Sequence, residues 1–381
     1  MPVAARLAAY YFAFFAHAGA FVTYFSLYLA SLGLGAGEIA FAVAMPQAAR
    51  IVAPALWGWL ADAWGARYAS AKSVVLVFSA CAMLAGFAAL LGESRPAAIA
   101  LTLLALSLCS AGAAPLIESI TFSALQGRMG LYGPIRLWGS IGFILSVLAV
   151  GAWLDGHEVA SLLPILVGLA AGILVASLLV PRNPPARAEH AHLRFGEVLR
   201  RPGVAAFFGA SLCMTAAHGT WYVFFSIHLA NAGYSKTMIG ALWTVGVLAE
   251  IVLFLRLPQL LARFSLRALL LASFGCAMVR FIAIGWGVES LAVVVAAQLL
   301  HAFTFGAFHS ASVAAVHRLF PGPVQARGQA LFSSLCYGVG GMTGSLVAGI
   351  TWQSLGPALS FGVGSLFALL GAALVAWKVR V

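Results

Sequence analysis

Apolar residues along this chain run in continuous stretches, each near the roughly 20 residues that a helix needs to cross a bilayer, and short polar turns separate them. A membrane strand would alternate in polarity residue by residue. These stretches do not alternate, and their Ala, Leu and Gly content predicts helices. Cutting at the turn signals gives twelve spans, near 8–30, 39–61, 70–92, 97–119, 137–154, 160–180, 204–231, 237–256, 268–288, 291–317, 328–352 and 358–377. One connection is long and polar, PRNPPARAEHAHLRFGEVLRRPG from Pro181 to Gly203. It divides the chain into a six-helix bundle over 1–180, a linker over 181–203 and a second six-helix bundle over 204–381. The expected class is therefore an all-α membrane protein of 12 transmembrane helices in two bundles.

Composition agrees with that pattern. Of 381 residues 63% are hydrophobic and 8% charged, with a mean hydropathy of +1.01, too little charge for a soluble fold. The formal net charge of +11 would suit a nucleic-acid partner, but its distribution points elsewhere. Sixteen of the 21 Lys and Arg fall on the side of the membrane that holds both termini. Arg95 and Lys236 fall on the other side, and Arg50, Arg136 and Arg280 lie within spans. The positive-inside rule then predicts cytoplasmic termini and a cytoplasmic linker in a multi-pass inner-membrane protein. The partner of this basic chain is the lipid bilayer, with no nucleic acid. The five cysteines are scattered singly, without metal spacing or a disulfide framework. Only Arg6 is charged ahead of the first full-length span, which reads as a helix and not as a cleaved signal. No HExxH, GxSxG or P-loop pattern occurs, so neither enzyme, metal nor cofactor is expected.

Five charges change the picture: Arg50, Glu118, Arg136, Glu250 and Arg280 sit inside spans. A charge at the bilayer centre costs roughly 2.5–3.5 kcal/mol on the insertion scale, so such groups persist where they pair, face water or do work. The pattern implies a transporter with a polar site at mid-membrane. Aromatic and imidazole side chains share helix faces beside it: His17, Phe21, Tyr24 and Tyr28; His218, Tyr222 and Phe225; His301, Phe305 and His309.

Several motifs carry a resemblance. Gly58-Trp59-Leu60-Ala61-Asp62-Ala63-Trp64-Gly65-Ala66-Arg67 resembles the G-x-x-x-D-R-x-G-R loop of the major facilitator superfamily, with Ala63 in place of Arg. It implies a pseudo-symmetric fold of two six-helix halves and a gating loop at Gly58, Asp62 and Arg67. Ala114-Pro115-Leu116-Ile117-Glu118 and Arg136-Leu137-Trp138-Gly139 resemble the fourth and fifth helices of the oligosaccharide/proton symporters. Glu250, Arg280 and His301 stand where that family carries its proton-coupling cluster. The family's next carboxylate is replaced by Thr304, which leaves Glu250 and His301 as proton carriers. Arg136-Leu137-Trp138-Gly139-Ser140, Ala217-His218 with Trp221 and Tyr222, and Leu300-His301 with Thr304 are similar to the phenylpropionate permease subgroup, as is an Arg at position 50.

The resemblance implies substrate contacts at Arg50, Glu118, Arg136, Phe143, His218 and Tyr222, with proton coupling through Glu250, Arg280 and His301. By the family's geometry Glu118 pairs with Arg136 and Glu250 with Arg280. Arg50 is left without a partner in its own helix, since Asp62 lies about 18 Å along the axis. A carboxylate would satisfy its fork. The expected activity is proton-coupled symport, by a monomer, of a small aromatic monocarboxylate such as 3-phenylpropionate. Alternatives are a sugar or nucleoside symporter and a drug/proton efflux antiporter.

Overall fold

The computed structural model describes residues 2–65, 71–125, 128–181, 202–321 and 325–379; at Pro54, Gly58, 61–65, Met129, Pro202 and Ala326 it describes the backbone alone. Among the described residues the chain is helical and has no β-strand. Lipid offers no hydrogen bonds, so each spanning segment has to satisfy its own backbone, and helices do so. The first six spans are Val3–Ser31, Ala36–Gly65, Ala71–Ala89, Pro96–Leu125, Tyr132–Gly156 and Leu162–Leu179. The seventh is Pro202–Ala217 with Gly219–Asn231, and Lys236–Arg263, Leu266–Gly287, Leu291–Leu319, Gln325–Phe332 continued to Leu355, and Pro357–Lys378 complete the set. Leu101, Leu178, Val279 and Ile350 are exposed, as a lipid-facing surface requires.

Two connections repeat at an offset of 200 residues. After the first span, Leu29-Ala30-Ser31-Leu32-Gly33 ends in a glycine at φ 83°, with Leu34 N–H donating to the Leu29 carbonyl at 3.3 Å. After the seventh, Leu229-Ala230-Asn231-Ala232-Gly233 ends at φ 88°, with Tyr234 N–H donating to Leu229 at 3.1 Å. A left-handed residue at this point closes a helix, and glycine adopts it without strain. The same cap in each half is a local mark of the pseudo-symmetric major facilitator fold.

Three departures from uniform α-helix matter for the site. The seventh span, expected to be continuous over 204–231, breaks at His218. There the imidazole Nδ1 lies 2.8 Å from the Met214 carbonyl, and Thr215 Oγ1 donates to Cys336 O at 2.6 Å. Side chains thus occupy acceptors around the break. The fourth span turns at Ala111-Gly112, where Trp57 Nε1 donates to Leu108 O at 2.6 Å and the Trp57 side chain fills the space of a Gly112 Cβ. The tenth and eleventh spans each contain a π-helical segment, Ala302–Ala307 and Ser333–Gly340.

The chain forms two compact units. One comprises Met1–Leu34, Val52–Ala188 and Ser235–Gly240; the other comprises Gly35–Ile51, Glu189–Tyr234 and Ala241–Val381. Within the first, the first span packs closely on the fifth because Gly142 admits the Phe12 carbonyl against its backbone. Within the second, Gly344 lies backbone-to-backbone against Ala216 and Gly219. Small residues allow such approach where no hydrophobic effect separates helix from lipid.

These packing differences lead to opposite expectations for two glycines. Gly344→Val places a side chain where backbone already lies, and overpacking should cost about 1–3 kcal/mol. Gly168 is exposed with nothing within 4 Å of its Cβ position, so Gly168→Ala should leave stability unchanged or slightly raised. Thermal unfolding of the purified variants in detergent checks the pair; a Gly344→Val protein as stable as the parent would contradict the packing.

Candidate functional site

In the second unit the site is built around Arg280, which has no exposed surface. A guanidinium keeps its proton, so burial demands partners for its N–H groups. Nη1 donates to Thr304 Oγ1 at 3.0 Å and Nη2 to Gln298 Oε1 at 3.0 Å. The cation lies over the Trp221 ring, 4.5 Å from its centroid, on the quadrupole's negative face. Gln298 is itself oriented, because its Nε2 donates to Leu242 O at 3.2 Å.

His218, at the break in the seventh span, is 4% exposed. With Nδ1–H donated to Met214 O, its Nε2 is an acceptor, 3.3 Å from Thr304 Oγ1 and 3.4 Å from Arg280 Nη1. Thr304 therefore receives from Arg280, and its own hydroxyl hydrogen has two acceptors in reach, His218 Nε2 and the His301 carbonyl at 3.4 Å. His301 stands one turn before Thr304, its Nε2 at an ion-pair distance of 3.2 Å from Glu250 Oε1. Gly246, one turn before Glu250, makes room for that ring, since a Cβ there would lie 3.2 Å from His301 Cδ2. The family pairing of Glu250 with Arg280 thus takes a different form here. Glu250 meets His301 and stays within charge range of Arg280, whose own hydrogen bonds go to neutral groups.

Among the described residues, the buried atoms Arg280 Nε, Trp221 Nε1 and His301 Nδ1 make no hydrogen bond. Two are donors, and such atoms are seats for a ligand or water. Tyr222 is half-buried and within charge range of Glu250, Arg50 and Arg280.

Arg50 belongs to this same unit. It is solvent-accessible, yet protein closely surrounds it, with Tyr222 and Tyr337 in charge range. The expectation that it lacks a partner in its own helix is corrected: Nη1 donates to Gln47 Oε1, one turn earlier, at 3.3 Å. That partner is neutral, and among the described residues no carboxylate pairs with Arg50 within 4 Å. Ser334 Oγ donates to the Ile51 carbonyl at 2.5 Å, which fixes this part of the second span against the π segment of the eleventh.

The first unit carries a smaller constellation. Arg136 is half-buried over Phe15, 4.0 Å from the ring centroid, with Tyr11 at 5.6 Å. Gly139 leaves the space, for a Cβ there would fall 2.7 Å from Arg136 Nη1 and 2.9 Å from Phe15 Cδ2. Glu118 is exposed, accepts a hydrogen bond from Tyr132 and lies in charge range of Arg136. The expected Glu118–Arg136 pair is therefore an electrostatic neighbour relation, while the guanidinium stacks on an aromatic ring. Phe143 is half-buried and lies against Gly19 of the first span. In the loop motif, Gly58 and Asp62 lie on helix described by its backbone alone, and Arg67 lies outside the described residues.

Gln298, Tyr337 and Gln47 were not singled out from the sequence. Gln298 was detectable by the criterion that found the charges, being a polar side chain one turn before His301 in an apolar span. Tyr337 resembles an ordinary aromatic until its neighbour is known.

Charged groups held inside spanning helices by neutral polar partners define a multi-pass membrane transport protein. The chain belongs to the MFS_1 like family, whose profile matches residues 4–363, and it is a secondary transporter of the major facilitator superfamily. A probable 3-phenylpropionic acid transporter of Escherichia coli (strain K12) is 27% identical over 370 residues, covering 92% of this chain and 91% of that protein. A maltose permease of Geobacillus stearothermophilus is 28% identical, covering 97% and 94%. Among solved structures, a variant of the nucleoside transporter NupG superposes with a TM-score of 0.86 at 20% identity, over 98% of each chain. That likeness shows the fold.

Thr304→Val keeps the shape of the side chain and removes the acceptor of Arg280. A bond to a charged group contributes about 1.5–3 kcal/mol, so unfolding should move down by that amount. Unchanged thermal stability in detergent would show that Thr304 does not hold the guanidinium.

Proposed function

We propose that this chain is a proton-coupled symporter of a small aromatic monocarboxylate, such as 3-phenylpropionate, acting by alternating access in the bacterial inner membrane. The observation that carries the reading is the charge balance within the second unit. Arg50 and Arg280 stand inside spans, Glu250 meets His301 within charge range of Arg280, and the hydrogen bonds of both guanidiniums go to neutral groups, among them Gln47, Thr304 and Gln298. A carboxylate supplies the missing charge and matches the guanidinium fork. Aromatic rings at Trp221, Tyr222 and Phe305 suit an aryl group, and the 3-phenylpropionic acid relative gives independent support. Glu250 and His301 are the proposed proton carriers. In the first unit Arg136, Glu118 and Phe143 are proposed substrate contacts.

The basic asymmetry favours cytoplasmic termini. Arg95, one of two basic residues on the far side, is clamped by Glu93 at 2.7 and 3.0 Å, which leaves the positive charge there nearly cancelled. The same hydrogen bonds hold the Glu93 carboxyl down at about 2, so the cancellation persists through the physiological range. The working form is a monomer in the bilayer, with organic anion and protons as its partners.

A neutral sugar or nucleoside is the second reading, favoured by the balanced Glu118–Arg136 arrangement and its exposed carboxylate. Uptake into proteoliposomes separates the two. An inward proton gradient should drive accumulation of labelled 3-phenylpropionate, and accumulation of a nucleoside or maltose instead would overturn the anion reading. Arg50→Gln should lose carboxylate uptake selectively; equal loss of neutral and anionic ligands would refute the anchor. Arg136→Lys should abolish binding with an unchanged melting temperature, because Lys lacks the planar fork, and parental affinity would remove Arg136 from the site.

A further inference from the structure

His309 and Tyr337 lie outside the machinery described so far. His309 is two turns beyond His301 on the tenth span, and its Nδ1 lies 2.7 Å from the Tyr337 hydroxyl on the eleventh. Both are half-buried. Tyr337 sits within the π segment Ser333–Gly340, and His309 follows directly on Ala302–Ala307 and Phe308. A π turn costs helix geometry and recurs where function needs a side chain redirected; here two of them flank one hydrogen bond. A column of stacked rings joins this pair to the known cluster, with His301 to Phe305 at 5.6 Å and Phe305 to His309 at 6.1 Å. On its other side Tyr337 is within charge range of Arg50.

We propose that His309 is a second proton-binding site, linked through the Tyr337 hydroxyl to a carboxylate held at Arg50. With His309 neutral and its hydrogen on Nε2, the Nδ1 lone pair accepts the Tyr337 O–H. A proton taken from water then bonds to Nδ1 and gives an imidazolium. Nδ1–H now donates to the tyrosine oxygen, and the O–H turns away to a new acceptor. Beside Arg50 that acceptor is a carboxylate oxygen. Loss of the proton to water on the releasing side restores the first arrangement and withdraws the hydrogen bond from the anion. The hydroxyl therefore makes proton and anion binding mutually favourable, as linkage requires. With Thr304 in place of a carboxylate the tenth span carries none, and His309 supplies a titratable group on that span.

The charged and titratable groups facing His309 are Glu250 from the eighth span, Tyr337 from the eleventh and, beyond it, Arg50 from the second. The ninth span packs here through Phe274 on Phe308, while its Arg280 is held by Thr304 and Gln298. Gln325–Phe332 also packs on this helix and carries the exposed Arg327. On the helix itself the nearest groups are His301 and, two turns onward, His317 and Arg318.

The inference rests on the reading of a proton-coupled carboxylate carrier, so the test keeps the two apart. Binding of 3-phenylpropionate to the full-length protein is measured from pH 5 to 9, with Tyr337→Phe and His309→Asn beside the parent. Each coupled proton weakens binding about tenfold per pH unit above its titration. The parent should show this slope, and both variants should lose one proton's worth of it. Variants that keep the parental slope overturn the inference and leave the carrier reading intact. Absence of 3-phenylpropionate binding in the parent defeats the carrier reading instead. In that event nitrogen-15 NMR of the histidine rings decides: a titrating imidazole lost in His309→Asn and displaced in Tyr337→Phe supports the proton site, and unchanged spectra overturn it.

Discussion

A guanidinium with no exposed surface, in a protein bathed by lipid, constrains everything near it. Arg280 cannot discharge by losing its proton, and each unsatisfied N–H would carry a desolvation cost. The chain answers with Thr304, Gln298 and the face of Trp221, contributed by the tenth and seventh spans. Those partners bring the irregular backbone with them. Thr304 lies in a π segment, and His218, which shares its hydroxyl, marks the break in the seventh span. Irregular helix is tolerated at membrane depth where protein side chains satisfy the freed groups.

The two units share a backbone plan and differ in chemistry. Matched glycine caps at Gly33 and Gly233 show the common frame. In the first unit a half-buried Arg136 rests on an aromatic ring near an exposed carboxylate. In the second, Arg280, His218, His301 and Glu250 form a dense set from the seventh to the tenth spans, and Arg50 adds a further cation. The second unit is therefore where the proposed proton coupling would lie, since a carboxylate and an imidazole meet there at 3.2 Å.

The spans and the five charges within them were legible because they rest on hydropathy and on single charged residues in otherwise apolar runs. What escaped depends on neighbours across helices. Hydrophobic periodicity cannot register an extra residue in a turn, so the π segments around Thr304 and Tyr337 read as ordinary helix. At the break the His218 ring bonds to its own Met214 carbonyl and Thr215 reaches Cys336 on the eleventh span, contacts that periodicity does not register. Gln47 was passed over for its lack of charge, although the geometry makes it the hydrogen-bond acceptor of Arg50. The family resemblance implies a direct Glu250–Arg280 pair, whereas here Thr304 and Gln298 take the guanidinium's hydrogen bonds and Glu250 meets His301.

The central claim is that a net positive site selects a carboxylate. Calorimetric titration of the purified protein with 3-phenylpropionate and with its neutral amide tests this most directly, since the two ligands share shape and ring. Loss of a charge-assisted bond of about 1.5–3 kcal/mol should make the amide bind roughly 10- to 150-fold more weakly. Equal affinity for acid and amide would contradict the claim.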